Sequence, residues 1–240
     1  MITSVKNDTI KELLKLKQKK YRDDTNLFLI EGYHLVEEAY KNNIVTKIIT
    51  CTKTNYTNVE IIEVSETVME KLAFTKTPQP IMAVCSMNIH KNVDYNQNRY
   101  LLLDRLQDPG NVGTILRTAS ALGYKNVLLS KDSVDLYNDK VIRATQGALF
   151  TLNISIVDLK DEISQLQKHH VKVYATALRN AKVIEEYDRE EKMAFIMGNE
   201  GQGVSKDIID MSDGAMYIPI ETMESLNVGI AAAIVMYQFK

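Results

Sequence analysis

From residue 100 to residue 240 short, mainly apolar runs alternate with longer segments of helical period. This alternation constrains the fold more than any other feature of the chain. The runs at 100–104, 126–129, 153–157, 171–177, 193–197 and 215–220 read as strands. The segments near 111–122, 139–147, 159–169, 204–210 and 227–239 read as helices. Strands that are apolar throughout are buried on both faces, and the helices between them supply the covering layers. The pattern therefore predicts an α/β domain on a parallel sheet. Ligands of such sheets sit beyond the carboxyl ends of the strands, so the polar residues that follow each run become the candidates for a site.

The first half reads as a smaller α/β unit. Residues 6–21, KNDTIKELLKLKQKKY, have helical period with Ile10, Leu13, Leu14 and Leu16 on the buried side, and 32–42 is a second helix burying Leu35, Val36, Ala39 and Tyr40. NLFLI, VTKIITC, VEIIEV and IMAVCSM read as strands, and Ser65 opens a partial capping box for a helix through SETVMEKLAF. The polar, Asn-rich stretch 88–99 reads as a linker. The expected domains are 1–92 and 99–240.

Composition excludes several classes. Two cysteines, Cys51 and Cys85, both in strand-like runs, do not make a disulfide framework and fit a reducing cytoplasm. No run of eighteen apolar residues exists, so no membrane span is expected, and the opening MITSVKND has no signal-peptide core. His34, His90, His169 and His170 lack partners at ligand spacing, so no metal is expected. Without a G-x-x-x-x-G-K-[ST] segment the chain is not a P-loop NTPase. The net charge of −2 conceals a basic stretch: Lys11, Lys15, Lys17, Lys19, Lys20 and Arg22 face a single acid, Glu12, between positions 11 and 22. Such a face suits a phosphate backbone, and Lys11, Lys15, Lys19, Lys20 and Arg22 are its candidate contacts; a solvated lysine-rich helix is the plainer alternative.

Three polar clusters follow strands. After 100–104 comes DRLQDPGNVGTILRTASALG, where Asn111 is expected to cap a helix that Gly123 closes, and Arg117 stands about two turns in as a cation free to meet an anion. After 193–197 comes GNEGQGVS, with Glu200 between Gly198, Gly201 and Gly203, and Ser205 as the expected cap of the next helix. After 215–220 come Ser225 and Asn227 at the mouth of a nearly all-apolar helix, which needs a sheet face or a partner subunit to cover it. Together these form one composite pocket of one Arg, one Glu, two Asn and one Ser, plus free backbone N–H groups. That set suits binding and polarisation more than hydrolysis.

The segments NVGTILRTASALG, IMGNEGQGVS and IPIETMESLNVGIAAAIVMY, in this order, resemble the three signature motifs of the SpoU (TrmH-like) RNA ribose 2′-O-methyltransferases of the SPOUT superfamily. KNDTIKELLKL and FLIEGYHLVEEA resemble the RNA-binding domain that many members carry in front. The resemblance implies a parallel-sheet domain whose last segment threads a trefoil knot, a homodimer with the active site at its interface, and S-adenosylmethionine as cofactor. It places Thr176, Ala177, Gly198, Ile218 and Leu226 around that cofactor, and Asn111, Arg117, Glu200, Ser225 and Asn227 around the reacting ribose. A guanidinium is a poor base because it stays protonated, so Arg117 is expected to stabilise the developing alkoxide instead. Glu221 and Thr222 depart from the small or apolar residues usual in the third motif. The implied substrate is structured RNA, ribosomal before transfer RNA; a base nitrogen as target and a non-catalytic RNA-binding assembly factor are the rival readings.

Overall fold

The computed structural model describes every residue except 88–91, 179 and 224. It contains two compact units: Met1–Ile89 with Asp135–Phe150, and His90–Val134 with Thr151–Lys240. Part of the expected linker, 88–91, lies outside the described residues, and 92–98 carries neither helix nor strand.

In the first unit α1 (Asp8–Lys15) and α2 (Lys19–Thr25) precede β1 (Leu27–Glu31), α3 (Tyr33–Lys41), β2 (Val45–Thr50), β3 (Glu60–Glu63), α4 (Glu66–Leu72) and β4 (Ile81–Ser86). The sheet order is β1-β4-β2-β3, with β4 antiparallel to β1 and β2, and β2 parallel to β3. Ile10, Leu13 and Leu16 pack with Leu29, Ile49, Val68 and Met82 in its core, and Ser65 caps α4 through the Val68 N–H. One helix was expected over 6–21, but the chain breaks at 16–18. Arg22 holds the break closed. Its Nη1 donates to the carbonyls of Leu16 and Lys17, both at 3.0 Å, groups that a helix end leaves without an internal partner.

The second unit follows the predicted alternation. β5 (Arg99–Leu103), α5 (Pro109–Ala121) and β6 (Asn126–Ser130) come first; α6 (Asp139–Thr145), expected in this half, clusters instead with the first unit. Then come β7 (Asn153–Val157), α7 (Leu159–Lys168), β8 (Lys172–Thr176), a two-residue β9 (Lys182–Val183) that its length hid, β10 (Met193–Met197), α8 (Lys206–Met211), β11 (Gly214–Tyr217) and α9 (Val228–Gln238). The seven strands are all parallel, in the order β7-β6-β5-β10-β8-β11-β9. Tyr100, Leu102, Leu128, Val173, Ala194 and Ile196 are buried with Ile163 and Leu166 of α7, which is why these strands read as unbroken apolar runs. α9 packs on α5 and β10 and buries Gly229, Ala232, Val235 and Met236, while Ile230, Ile234 and Tyr237 are exposed. Among the described residues no helix is long and apolar enough to cross a membrane.

Candidate active site

The glycine loop follows β10 directly. A Cβ on Gly198 would lie 2.0 Å from the Val204 nitrogen and 2.1 Å from the Gly203 carbonyl carbon, so only glycine lets the loop fold back on the strand end. Asn199 and Gly203 exchange backbone hydrogen bonds of 3.1 and 2.8 Å. The Asn199 Oδ1 accepts from the N–H groups of Gly201 and Gln202 at 3.0 and 3.1 Å. Gly203 completes the turn at φ +67°. The loop's amides are therefore spent on its own closure, and the free N–H cradle expected from three glycines is absent at 199, 201, 202 and 203. What the loop presents is the Glu200 side chain.

Glu200 is met by the start of α5. Its carboxylate accepts from the N–H groups of Gln107 at 3.2 Å and Asp108 at 3.0 Å, and from Asn111 Nδ2 at 3.1 Å. Partial burial works against its charge, but these donors outweigh it and hold the carboxyl below the usual range. The expected capping role of Asn111 is corrected here. Pro109, which has no N–H to satisfy, takes the first turn, and the Asp108 carboxylate caps the helix by accepting from the Asn111 N–H at 2.8 Å. The Asn111 side chain is thereby released. Its Oδ1 accepts from Asn227 Nδ2 at 2.9 Å. The Asn227 Oδ1 caps α9 through the N–H groups of Gly229 and Ile230, and this fixes which way its amide points. A continuous chain, Glu200–Asn111–Asn227, thus joins the ends of β10, α5 and α9. Ser205 stands at the start of α8 without capping it by its side chain.

Behind this chain lies a cleft of about 730 Å³ beyond the C-terminal ends of β8, β10 and β11. Thr176, Ala177, Gly198, Ile218 and Leu226, the five expected cofactor contacts, all line it, as do Asn111, Glu200, Ser225 and Asn227. Thr176 Oγ1 donates to the Ile196 carbonyl at 2.9 Å and joins two of the strand ends. Arg117 is not on its wall. It is exposed on α5, and its side chain makes no hydrogen bond or ion pair to another described residue. Among the described residues no group of three His, Cys, Asp or Glu side chains is placed to hold a metal.

The basic face of the first unit is smaller than its sequence. Lys11 and Lys19 are exposed and Lys15 is half-buried, and they pair with Asp8, Asp23 and Glu12 respectively, while Lys20 is exposed. Arg22 is buried at 7% exposure and paired with Asp135, so it is withdrawn from the surface contacts.

A parallel sheet with this cleft at its carboxyl edge, rimmed by residues of three separated segments, matches a known pattern: residues 98–237 fit the SpoU rRNA Methylase family. The chain belongs to that family. Residues 7–83 fit the MRM3-like substrate binding domain. Over 246 residues the chain is 40% identical to the 23S rRNA (guanosine(2553)-2′-O)-methyltransferase RlmP of Bacillus subtilis, which spans 100% of this chain and 98% of that protein. The AdoMet-bound rRNA methyltransferase of Sinorhizobium meliloti superposes with a TM-score of 0.87 at 28% identity, over 99% of this chain and 95% of that one. A TrmH-family protein of Porphyromonas gingivalis superposes with a TM-score of 0.89 at 30% identity, over 99% and 98%.

This SpoU methylase also uses residues that the sequence reading passed over. Asp104, Arg105, Gln107, Asp108 and Asn199 build the rim by holding the glycine loop and the start of α5. A signal existed for Asp108, because an Asp before Pro at a helix start is a strong cap. None existed for Arg105, whose partners on the glycine loop lie about a hundred positions away.

Proposed function

We propose that this SpoU methylase transfers a methyl group from S-adenosylmethionine to a ribose 2′-hydroxyl of ribosomal RNA, with 23S rRNA as the substrate that its 40%-identical Bacillus subtilis relative acts on by name. The observation that carries this reading is the Glu200–Asn111–Asn227 chain set across the mouth of the cleft. The cleft volume falls within the roughly 300–1,000 Å³ of small-molecule sites, and its lining mixes apolar side chains (Ile218, Leu226, Val235) with polar ones. These residues fit a cofactor that has both an aromatic base and a charged amino-acid end. When bound, S-adenosylmethionine supplies an electrophilic methyl group on a sulfonium.

Thr176, Ala177, Gly198, Ile218 and Leu226 surround the cofactor in this reading. Glu200, Asn111, Ser225 and Asn227 orient the ribose, and positioning of this kind is a main source of rate in a transfer between two bound groups. Arg117 stabilises the alkoxide that develops as the proton leaves. Its exposure on α5, off the cleft wall, together with the uncovered Ile230, Ile234 and Tyr237 of α9, supports a homodimer in which the active site is completed at the interface. The return of β10 between β5 and β8, and of β11 between β8 and β9, supports a knotted path for the last segment. Residues 99–240 then carry the methyltransferase chemistry. Residues 1–92 recognise RNA, with Lys11, Lys15, Lys19 and Lys20 facing phosphate, and the enzyme works in the cytoplasm.

The test is methyl transfer from labelled S-adenosylmethionine to unmodified ribosomal RNA, followed by nuclease mapping of the product. Label on a single ribose 2′-oxygen of 23S rRNA is the expected result. Label on a base overturns the ribose chemistry. Absence of both label and cofactor binding leaves the RNA-binding assembly factor as the better account.

A further inference from the structure

Arg105 is a non-glycine residue in the left-handed region, at φ +55°. Glycine would adopt this conformation freely and asparagine with little strain, whereas an arginine is disfavoured there. Strained positions persist where the surroundings hold them, and they cluster at functional sites. What holds Arg105 is a set of contacts, most of them to the glycine loop. Its carbonyl accepts from Asn199 Nδ2 at 2.8 Å and from Gln107 Nε2 at 3.3 Å. Its N–H donates to Ser130 Oγ at 2.8 Å. Its guanidinium reaches Gln202 Oε1 at 3.0 Å and the Gly203 carbonyl at 3.3 Å.

Asp104, beside it, is buried at 3% exposure and holds the far end of the same loop. Its Oδ2 accepts from the Ser205 N–H at 2.9 Å, and both its oxygens are met by the Arg105 guanidinium, at 3.1 and 3.3 Å. The end of β5 therefore grips the loop at Asn199, Gln202, Gly203 and Ser205. Glu200 is left free of that grip, and its carboxylate meets the start of α5.

We infer that Arg105, backed by Asp104, is a positioning residue. It latches the 199–205 loop into the path that shapes the cofactor cleft and aims Glu200, without itself lining that cleft. The effect on cofactor rests on the reading of the cleft as the S-adenosylmethionine site; the effect on the loop does not. An arginine is suited to the task because its planar fork reaches Asp104, Gln202 and Gly203 together, which an ammonium cannot.

Arg105→Gly removes the whole side chain while leaving the positive φ accessible, and Arg105→Lys keeps the strained backbone and a charge but loses the planar fork, so the pair separates the guanidinium's contacts from backbone freedom. Hydrogen exchange of the ligand-free protein is expected to show faster exchange across 199–205 in this variant, by about tenfold, as befits the loss of roughly one net charge-assisted hydrogen bond. The KM for S-adenosylmethionine should rise by about tenfold, and kcat at saturating cofactor should fall as well, by about threefold or more, because Glu200 is no longer held in aim, with Arg105→Lys in between. Unchanged exchange across 199–205 overturns the latch. Faster exchange with an unchanged KM, or a fall in kcat alone, overturns its link to the cofactor. Wild-type protein that does not bind S-adenosylmethionine removes the cofactor reading, and the exchange comparison still decides the latch. Should Arg105→Gly not fold, Arg105→Lys carries the same comparisons.

Discussion

Replacing Gly198 with alanine tests whether the glycine loop is shaped by its close approach to the strand end. The added Cβ would sit 2.0 Å from the Val204 nitrogen, whereas ordinary contact begins near 3.4 Å. The Gly203–Val204 backbone must therefore retreat by about 1.4 Å, because atoms cannot interpenetrate by that amount. A shift of that size breaks the paired Asn199–Gly203 bonds of 2.8 and 3.1 Å and the Arg105 contact to the Gly203 carbonyl. Three hydrogen bonds at roughly 1 kcal/mol each give a loss of about 3 kcal/mol. That is a fall of roughly 6–12 °C in Tm for a chain of this size. Restoring the wild-type loop path during binding would weaken cofactor affinity by as much as about a hundredfold. Thermal unfolding and titration calorimetry with S-adenosylmethionine read the two effects. The other loop glycines are internal controls. Gly203 has open space around it but φ +67°, so Gly203→Ala should cost about 1–2 kcal/mol. Gly201 meets its nearest neighbour at an ordinary 3.7 Å, and Gly201→Ala should stay within about 1 kcal/mol of wild type. A Gly198→Ala protein as stable as Gly201→Ala, with wild-type cofactor affinity, would refute the close-approach argument.

Arg22→Ala leaves the carbonyls of Leu16 and Lys17 and the Asp135 carboxylate without their donor and should destabilise by about 3 kcal/mol in thermal unfolding; an unmoved midpoint would show that the α1–α2 break does not depend on it. Glu200 has a depressed folded-state pKa, so its stabilising contribution is present above the unfolded carboxyl value near 4.5 and is lost as pH falls through the lower folded value. Glu200→Gln should therefore lower the midpoint at pH 7, by about 1 kcal/mol at most for so exposed a group, with the deficit shrinking in acid; a pH-independent deficit contradicts this. Arg117→Ala should lose nearly all methyl transfer while binding S-adenosylmethionine as wild type does, because Arg117 lies off the cleft wall, and Arg117→Lys should keep part of the activity; wild-type turnover in Arg117→Ala removes it from the mechanism. Replacing Lys11, Lys15, Lys19 and Lys20 together with alanine should flatten the salt dependence of RNA binding by a slope of roughly 3 if each meets a phosphate; an unchanged slope places the RNA elsewhere.

The family resemblance named the residues expected on the cleft wall, and several of them sit at places defined locally. Gly198 directly follows a strand, Thr176 closes the strand before it, and Asn227 opens the apolar last helix. Asn111 was placed correctly but given the wrong task. A cap is a local feature, and two good candidates, Asp108 and Asn111, stood three residues apart; the proline between them decides for Asp108. Arg22 was misjudged as a surface contact, and the place of Arg117 relative to the cleft was not legible, for one reason. A basic side chain looks the same in a sequence whether it is buried against Asp135, as Arg22 is, or exposed away from the cleft, as Arg117 is.

The sequence by itself determined the α/β class, the extent of nearly every strand and helix in the second half, and the three segments that carry the site. These follow from residue period and turn chemistry, which act over a few positions and so are written locally. Only the tertiary structure decided that Asp135–Phe150 clusters with the first unit, that β10 lies between β5 and β8, that the glycine loop spends its amides on itself, and that Arg105 latches it. Apart from the loop's own internal bonds, each of these depends on groups tens to a hundred residues apart meeting at a particular distance. That meeting is settled by the packing of the whole sheet and its covering helices, and no local pattern encodes it.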